Sequence, residues 1–331
     1  MSNKKKALLL SVVIPHRENE GIEKTLAALD HAAAQARDAG EAAAACYELL
    51  SVSGNQPSVQ RNSAVREAQG KYIYFLDNDS LPAEDCFIRI ARFFAEHPDA
   101  AFYGGPSLTP VEDSSWQQAF GAVLGSFWGS AFMRARYRSF GKLRPANDRS
   151  LILCNLAARR DVFTELGGFN ERLYPNEENA LMDDARRAGY SLWHDPGLIV
   201  YRSQRPNPAA FIRQLFGYGR GRGEQMRLAP LIGNIIPFVF MLFPPVVLCI
   251  PLFLALIPYS GYILLVYPVC IFFAALMALR KGIPAAGYTW ISFFLCHFSY
   301  GMGLWVGLFA PLRSRKVTPR AVLKRQERGT R

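Results

Sequence analysis

The order of apolar and polar positions divides this chain into two parts. From Leu8 to Val200, short apolar runs alternate with longer segments at helical spacing. Leu8–Ile14 is apolar and ends at Pro15-His16-Arg17-Glu18-Asn19-Glu20, which predicts a strand opening into a polar loop. Ile22–Ala36 carries Ala and Leu at helical spacing. Tyr47–Val52 reads as a second strand, closed by Ser53-Gly54-Asn55-Gln56-Pro57. Ser58 stands where an N-cap would begin a helix to about Ala68, stopped at Gly70. Lys71–Leu76 is aromatic and β-branched, the composition of a buried strand. Further strands are predicted at Ala101–Pro106 and Leu192–Val200, with a helix from about Glu177 to Gly189, while Leu151–Ala157 and Asp161–Leu166 lead into Gly167-Gly168. This alternation argues for an α/β domain with a doubly wound, mostly parallel sheet.

The second part is different. Between Leu228 and Leu312 the only basic side chains are Arg280, Lys281 and His297, and there is no Asp or Glu. Leu231–Ile257, Tyr262–Leu279 and Tyr288–Phe309 are each of a length to span a bilayer. Pro237, Pro244-Pro245 and Pro251 interrupt the first, so a kink or a re-entrant piece is expected there. Pro258-Tyr259-Ser260-Gly261 is an uncharged turn, and Arg280-Lys281 should face the cytosol. Three full crossings would put the basic C-terminus on the opposite side, against the same rule. The expected division is a globular domain over 1–225, transmembrane helices with two or three spans over 226–312, and a basic cytosolic tail over 313–331. His297 has no evident partner and is expected as a packed neutral side chain.

Charge sharpens that picture. The chain of 331 residues carries a formal charge of +11. The excess gathers in Met1–Lys6, Tyr201–Arg227 and Leu312–Arg331, beside the apolar block or at a terminus. Such placement suits an anionic cytoplasmic leaflet. The globular part has no basic stripe interleaved with aromatics, so nucleic acid is not an expected partner. Six cysteines without a C-x-x-C pair argue against a disulfide or zinc framework. Trp116–Met133 is apolar with small residues, and Arg134, Arg136, Arg138, Lys142 and Arg144 follow. It reads as a helix in the bilayer interface with cations to meet phosphates; a core helix with a solvated basic end has the same periodicity.

The chemistry concentrates in two acidic pairs. Asp77 and Asp79 follow the Lys71–Leu76 strand, and ligands of open α/β sheets collect at strand carboxyl ends. Two carboxylates one residue apart suit a hard divalent cation that also holds a diphosphate; an Asx-rich turn without a ligand has the same sequence. Glu177 and Glu178 fall in the first turn of a predicted helix, where the ionised form is favoured. That suits a general base, and equally a simple cap.

Taken together, Ser11-Val12-Val13-Ile14-Pro15 with Asn19-Glu20, Gln60-Arg61-Asn62, Phe75-Leu76-Asp77-Asn78-Asp79, Gly167-Gly168-Phe169-Asn170-Glu171 and Asn176-Glu177-Glu178-Asn179 form an ordered series. The chain resembles the family 2 glycosyltransferases, inverting nucleotide-sugar transferases of the GT-A fold, from about Leu9 to Tyr201. Gly54–Ser58, Cys154-Asn155-Leu156 and Gln214 with Phe216–Arg222 resemble a bacterial exopolysaccharide subgroup, the succinoglycan-type glucosyltransferases. The resemblance implies Asp77 and Asp79 on Mg²⁺ or Mn²⁺, with Asp77 also at the donor. It implies Glu178 as the base, with Glu177 as the adjacent candidate. Pro15, Arg17 and Glu20 would border the nucleoside, and Arg61, Gln214, Arg220 and Arg222 would serve the donor diphosphate. The implied partners are a nucleotide sugar, foremost a UDP-sugar, a polyprenyl-linked acceptor and the bilayer. The implied place is the bacterial cytoplasmic membrane, with the catalytic domain in the cytosol. Transfer to polyprenyl phosphate itself, or a non-catalytic scaffold in a polysaccharide assembly complex, are the alternatives.

Three departures stand out. The Asp-Asp-Gly-Ser-like loop usual after the second strand is shortened to Ser53-Gly54, so base recognition should come from elsewhere. Tyr201-Arg202 stands where relatives carry a metal-binding His, and His194 is expected to be structural. Of a Q-x-x-R-W signature only Gln214 is present, which favours addition of single sugars.

Overall fold

The computed structural model describes residues 9–171, 177–228, 236–251, 254, 260–276, 283–311 and 322–328. The Lys4–Lys6 run, Asn176, Pro258-Tyr259, Arg280-Lys281 and the first part of the basic tail lie outside them.

Three parallel strands form the heart of the sheet: β1 (Leu10–His16), β2 (Tyr47–Ser53) and β3 (Tyr72–Leu76), with β1 between the other two. Their central residues are buried on both faces, which explains the continuous apolar runs. Helices α1 (Glu23–Asp38), α2 (Ala42–Ala45) and α3 (Pro57–Glu67) make the crossovers. The third begins at Pro57, one residue before the expected cap, because proline is pre-set for a first helical position. After the short strand β4 (Leu81–Pro82) and α4 (Cys86–Glu96) comes β5 (Ala100–Gly104), then β6 (Ser107–Leu108).

Next come α5 (Ser115–Leu124), α6 (Phe127–Ser130), β7 (Arg144–Pro145), β8 (Asn155–Arg159), α7 (Arg160–Glu165), α8 (Glu177–Arg187), β9 (Ser191–His194) and β10 (Val200–Tyr201). Strand β8 runs antiparallel between β3 and β5, and β9 lies parallel to β5, so the large sheet is mixed. Asn155 at the head of β8 is fully buried and ties three segments. It accepts from Tyr74 Oη at 2.8 Å and donates to the carbonyls of Leu198 at 2.7 Å and Pro106 at 3.1 Å. A small second sheet sets β10 between β4 and β6.

Two findings depart from the expectations. Trp116–Met133 is not one helix: it divides into α5 and α6, and the α5 part packs Phe120, Val123 and Leu124 against Phe211, Leu215, Phe293 and Cys296. And the basic C-terminal stretch is not wholly a tail. Val322–Arg328 forms β11, antiparallel to β2 over seven residue pairs, at the edge of the large sheet.

Between these lie the apolar helices. Helix α9 (Pro208–Leu228) is continuous through its glycines, and it packs along the last helix, Ile283–Phe309. The glycines are the seam. A Cβ on Gly219 or Gly223 would collide with the Tyr300 or Leu304 carbonyl, and one on Gly303 or Gly307 with the Phe216 or Arg220 carbonyl. Small residues let two helix backbones approach closely. Among the described residues, Pro284–Phe309 is the one helix long and apolar enough to cross a membrane, and half of its most apolar stretch is buried in the protein. His297 is not without partners: Tyr267 Oη lies 2.6 Å from its Nδ1, and its Nε2 is 2.8 Å from the Trp128 carbonyl.

Candidate active site

The carboxyl ends of β1, β2 and β3 open on one polar cavity of about 620 Å³. The β1 end contributes Pro15, Arg17 and Glu20, and the β3 end Asp77 and Asp79. The shortened loop after β2 still borders this cavity, through Gly54, Asn55, Gln56 and Pro57. Arg17 is largely exposed, its backbone N–H donates to Glu20 Oε2 at 3.2 Å, and Asn78 Nδ2 reaches the same oxygen at 3.4 Å.

The Gln60-Arg61-Asn62 triplet on α3 assembles the floor. Gln60 donates to the Val52 carbonyl at 2.6 Å and the His16 carbonyl at 2.9 Å, locking two strand ends together. Asn62 accepts from Phe169 N–H at 2.9 Å and donates to its carbonyl at 2.8 Å. That contact needs Gly167 and Gly168 at φ +80° and +74°, where glycine is favoured. Arg61, between them, is nearly fully buried. Its Nη2 lies 2.6 Å from Asp77 Oδ1 and its Nη1 3.4 Å from Glu177 Oε1, while its Nε is buried without a partner.

Arg61 therefore links the two acidic pairs. A second cavity of about 200 Å³ adjoins the first through Arg61, Asp77, Arg202 and Arg205, and it is lined further on by Glu177 and Glu178. Helix α8 presents these glutamates in its first turn and closes at Gly189, φ +87°, as expected of a glycine end. Burial opposes the Asp77 charge, but Arg202 and then Arg61 outweigh it and hold this carboxyl below the ordinary carboxylate range. Glu177 goes the other way: burial first, then the charge of Glu178, push its carboxyl well up. Glu178 is the more open of the two, with 15% of its side chain exposed against 3%, and it pairs with Arg136 Nη1 at 3.6 Å.

Arg202 and Arg136 are the residues that sequence reasoning missed or misplaced here. Arg202 sits on both acids of the first pair, Nη1 at 3.1 Å from Asp77 Oδ2 and Nε at 2.7 Å from Asp79 Oδ1. The small sheet puts it there: β10 pairs with β4, the strand directly after Asp79, and Arg202 N–H donates to the Leu108 carbonyl at 2.9 Å. Arg136 was expected at a bilayer surface. It is instead buried, donating to Asn179, to the Asp148 carbonyl and, at 3.1 Å, to the Arg149 carbonyl.

The arginines of α9 separate. Successive helix positions turn by about 100°, so residues two apart face nearly opposite ways. Arg222 faces the glutamate cavity, whereas Arg220 turns to Glu224 at 2.9 Å and the Pro311 carbonyl at 3.2 Å and is not brought to the site. Gln214 donates to Tyr218 Oη at 2.9 Å and lines a small recess beside Asp79 and Arg202. His194 is fully buried, 3.0 Å from the Ala135 carbonyl through Nε2, and burial lowers its pKa to about 4, a structural side chain.

Among the described residues no three His, Cys, Asp or Glu side chains gather as a metal site. The donor set of Asp77 and Asp79 nevertheless fits a hard cation of the Mg²⁺ kind, which takes one or two carboxylates and completes its shell with phosphate oxygens and water. Asp79 has about half of its side chain exposed to the polar cavity.

A family model described as glycosyl transferase family group 2 matches residues 72–280. The chain belongs to that family. Over 251 residues the transferase is 24% identical to the succinoglycan biosynthesis protein ExoA of Rhizobium meliloti (strain 1021), covering 74% of this chain and 72% of ExoA. Its fold is similar to that of mannosyltransferase PcManGT from Pyrobaculum calidifontis, solved in complex with GDP-Man and Mn²⁺, with TM-score 0.53, 16% identity and coverage of 91% and 87% of the two chains. The catalytic part of the transferase is thus an α/β domain of the GT-A type. A looser likeness, TM-score 0.40 at 12% identity over 96% of each chain, is to S. aureus TarS 1–349 in complex with UDP.

Proposed function

We propose that this transferase moves one sugar, with inversion, from a nucleoside-diphosphate sugar to a lipid-linked saccharide at the bacterial cytoplasmic membrane, in exopolysaccharide assembly. The observation that carries the reading is the pair of joined cavities, one lined by Asp77 and Asp79, the other by Glu177 and Glu178, with Arg61 between. The polar cavity suits the nucleotide, foremost UDP, with Pro15, Arg17 and Glu20 at its nucleoside end. Asp77 and Asp79 would hold Mg²⁺ or Mn²⁺, which when bound offsets the charge of the diphosphate. Arg61, Arg202 and Arg205 point cations at the same place, where charge develops on a leaving diphosphate.

Glu178 is the base in this reading. It is the more accessible glutamate, and it takes the proton of the acceptor hydroxyl as that oxygen attacks the anomeric carbon. Glu177, buried and biased toward its protonated form, positions Arg61. The test is nucleotide release by the purified full chain with Mn²⁺ and a panel of nucleotide sugars. Glu178→Gln should lower turnover about 10²–10⁴-fold, the usual worth of a general base, while nucleotide binding persists. Asp79→Ala should weaken nucleotide binding itself. Release by Glu178→Gln at the wild-type rate overturns the assignment, and no release with any donor overturns the enzyme.

A further inference from the structure

A third cavity continues the line. It has a volume of about 100 Å³ and lies beyond the glutamates, between α5, α6, α9 and the last helix. It meets the glutamate cavity at Met133, Tyr218 and Tyr300, which line both. Its walls are apolar, with Leu124, Leu215, Phe240 and Cys296. Two guanidinium groups stand in them, Arg149 and Arg222. The three chambers thus grade from polar, through one lined by charges of both signs, to apolar with Arg149 and Arg222 in its walls.

The mouth carries independent signs. Phe127, Trp128 and Phe132 are 45%, 52% and 57% exposed, large apolar surface that water disfavours. Arginines lie on two of these rings, Arg134 at 5.6 Å over Phe127 and Arg149 at 5.9 Å over Phe132. Aromatic rings with cations beside them suit the boundary between lipid headgroups and acyl chains. Ala131, a wall residue, holds φ +51°, a strained backbone for a side chain with a Cβ, and such strain gathers at functional places.

We infer that this cavity takes the first isoprenoid units of a prenyl phosphate-linked acceptor, with Arg149 and Arg222 meeting its phosphate and Met133 at the passage to Glu178. A prenyl phosphate has the two properties the chamber selects for, an apolar chain and an adjoining anion. It also has to place a hydroxyl in the next chamber, whose lining shares Met133, Tyr218 and Tyr300 with this one. This deepens the function proposed above and rests on it for the acceptor class.

The experiment uses the full chain in detergent and a benzophenone-bearing geranylgeranyl phosphate as probe, with adduct sites mapped by mass spectrometry. Expected are adducts on the segments around Phe132, Leu215 and Cys296. Unlabelled geranylgeranyl phosphate should compete at least tenfold better than phosphatidic acid or inorganic phosphate. Met133→Trp, which narrows the passage, should raise the KM for a prenyl-linked acceptor at least fivefold and leave UDP and GDP binding unchanged. Adducts confined to the outer surface, or equal competition by phosphatidic acid, overturn the inference, and the mapping needs no variant to fold. Nucleotide binding is measured on the same sample. Its failure strikes the transferase reading, while labelling decides the cavity separately.

Discussion

Glu48 and Glu177 are buried almost completely, at 0% and 2% exposure, yet they sit on opposite sides of the ordinary carboxylate range. Glu48, on β2, also pays a burial cost but accepts from Ser11 Oγ at 2.5 Å, from Gln69 N–H, and from both Nε and Nη2 of Arg325 at 2.8 and 2.6 Å. Those hydrogen bonds outweigh burial and lower its pKa. Glu177 has one cation at 3.4 Å, shared with Asp77, and a like charge next to it, so burial wins and its pKa rises. Burial alone therefore says nothing about the charge of an acid; the count of groups that donate to it decides. The satisfied glutamate fastens the sheet edge, and the underserved one lies in the cleft, as expected where a site trades stability for chemistry.

The largest way to break this contrast is Arg61→Ala. It strips the one guanidinium that serves Asp77 and Glu177 together, and loss of one partner from a buried ion pair costs about 3–5 kcal/mol. We expect that loss in chemical denaturation of the full chain, with nucleotide binding also weakened. Arg61→Lys should recover little, because an ammonium cannot span two carboxylates as a planar fork does. A variant as stable as wild type would mean that Arg61 is not the link between the cavities.

Much of this arrangement was legible in the sequence because it depends on local order. The three parallel strands, the Asp77-Asn78-Asp79 stop, the first turn of α8 and its glycine end are set by propensity, caps and apolar runs over a few residues. Arg202 was not legible as a site residue. Its place comes from two-residue strands that pair across 120 positions of chain, and no periodicity marks those. The seam role of the α9 glycines was not legible either, since their partners, Gly303 and Gly307, lie on a helix whose packing a single sequence does not reveal. The basic C-terminus read as a solvated tail. Only the structure shows Arg325 and Arg328 turned inward, the first to Glu48 and the second to Asp30 at 2.7 Å.

That strand bears on the apolar block. Helix α9 leads into it and β11 follows it, and both belong to the body that carries the site. Arg325→Ala tests the fastening. It takes two hydrogen bonds from a buried carboxylate, and bonds to charged groups are worth about 1.5–3 kcal/mol. We expect a stability loss of that order, with protease cleavage after β2-facing residues 322–328 becoming faster. Unchanged cleavage would show that β11 does not stay on β2.

The smallest expected effect sharpens the contrast most. A carboxyl whose folded pKa is raised holds its proton longer when folded. Its stabilising contribution is complete below the unfolded value, about 4.3 for a glutamate, and is lost as pH rises through the folded value. Glu48 and Asp77, lowered, contribute above their unfolded values and lose that contribution as pH falls. Wild-type melting temperature should therefore fall on the acid side through Glu48 and Asp77, and on the way up from the acid range through Glu177. Glu177→Gln cannot ionise. Its melting temperature should gain on wild type as pH climbs, and keep the same loss in acid. Thermal melts at constant ionic strength read both arms. Parallel curves for the two proteins at every pH would mean that Glu177 is as well served as Glu48, and the distinction drawn between a fastening acid and a cleft acid would fail.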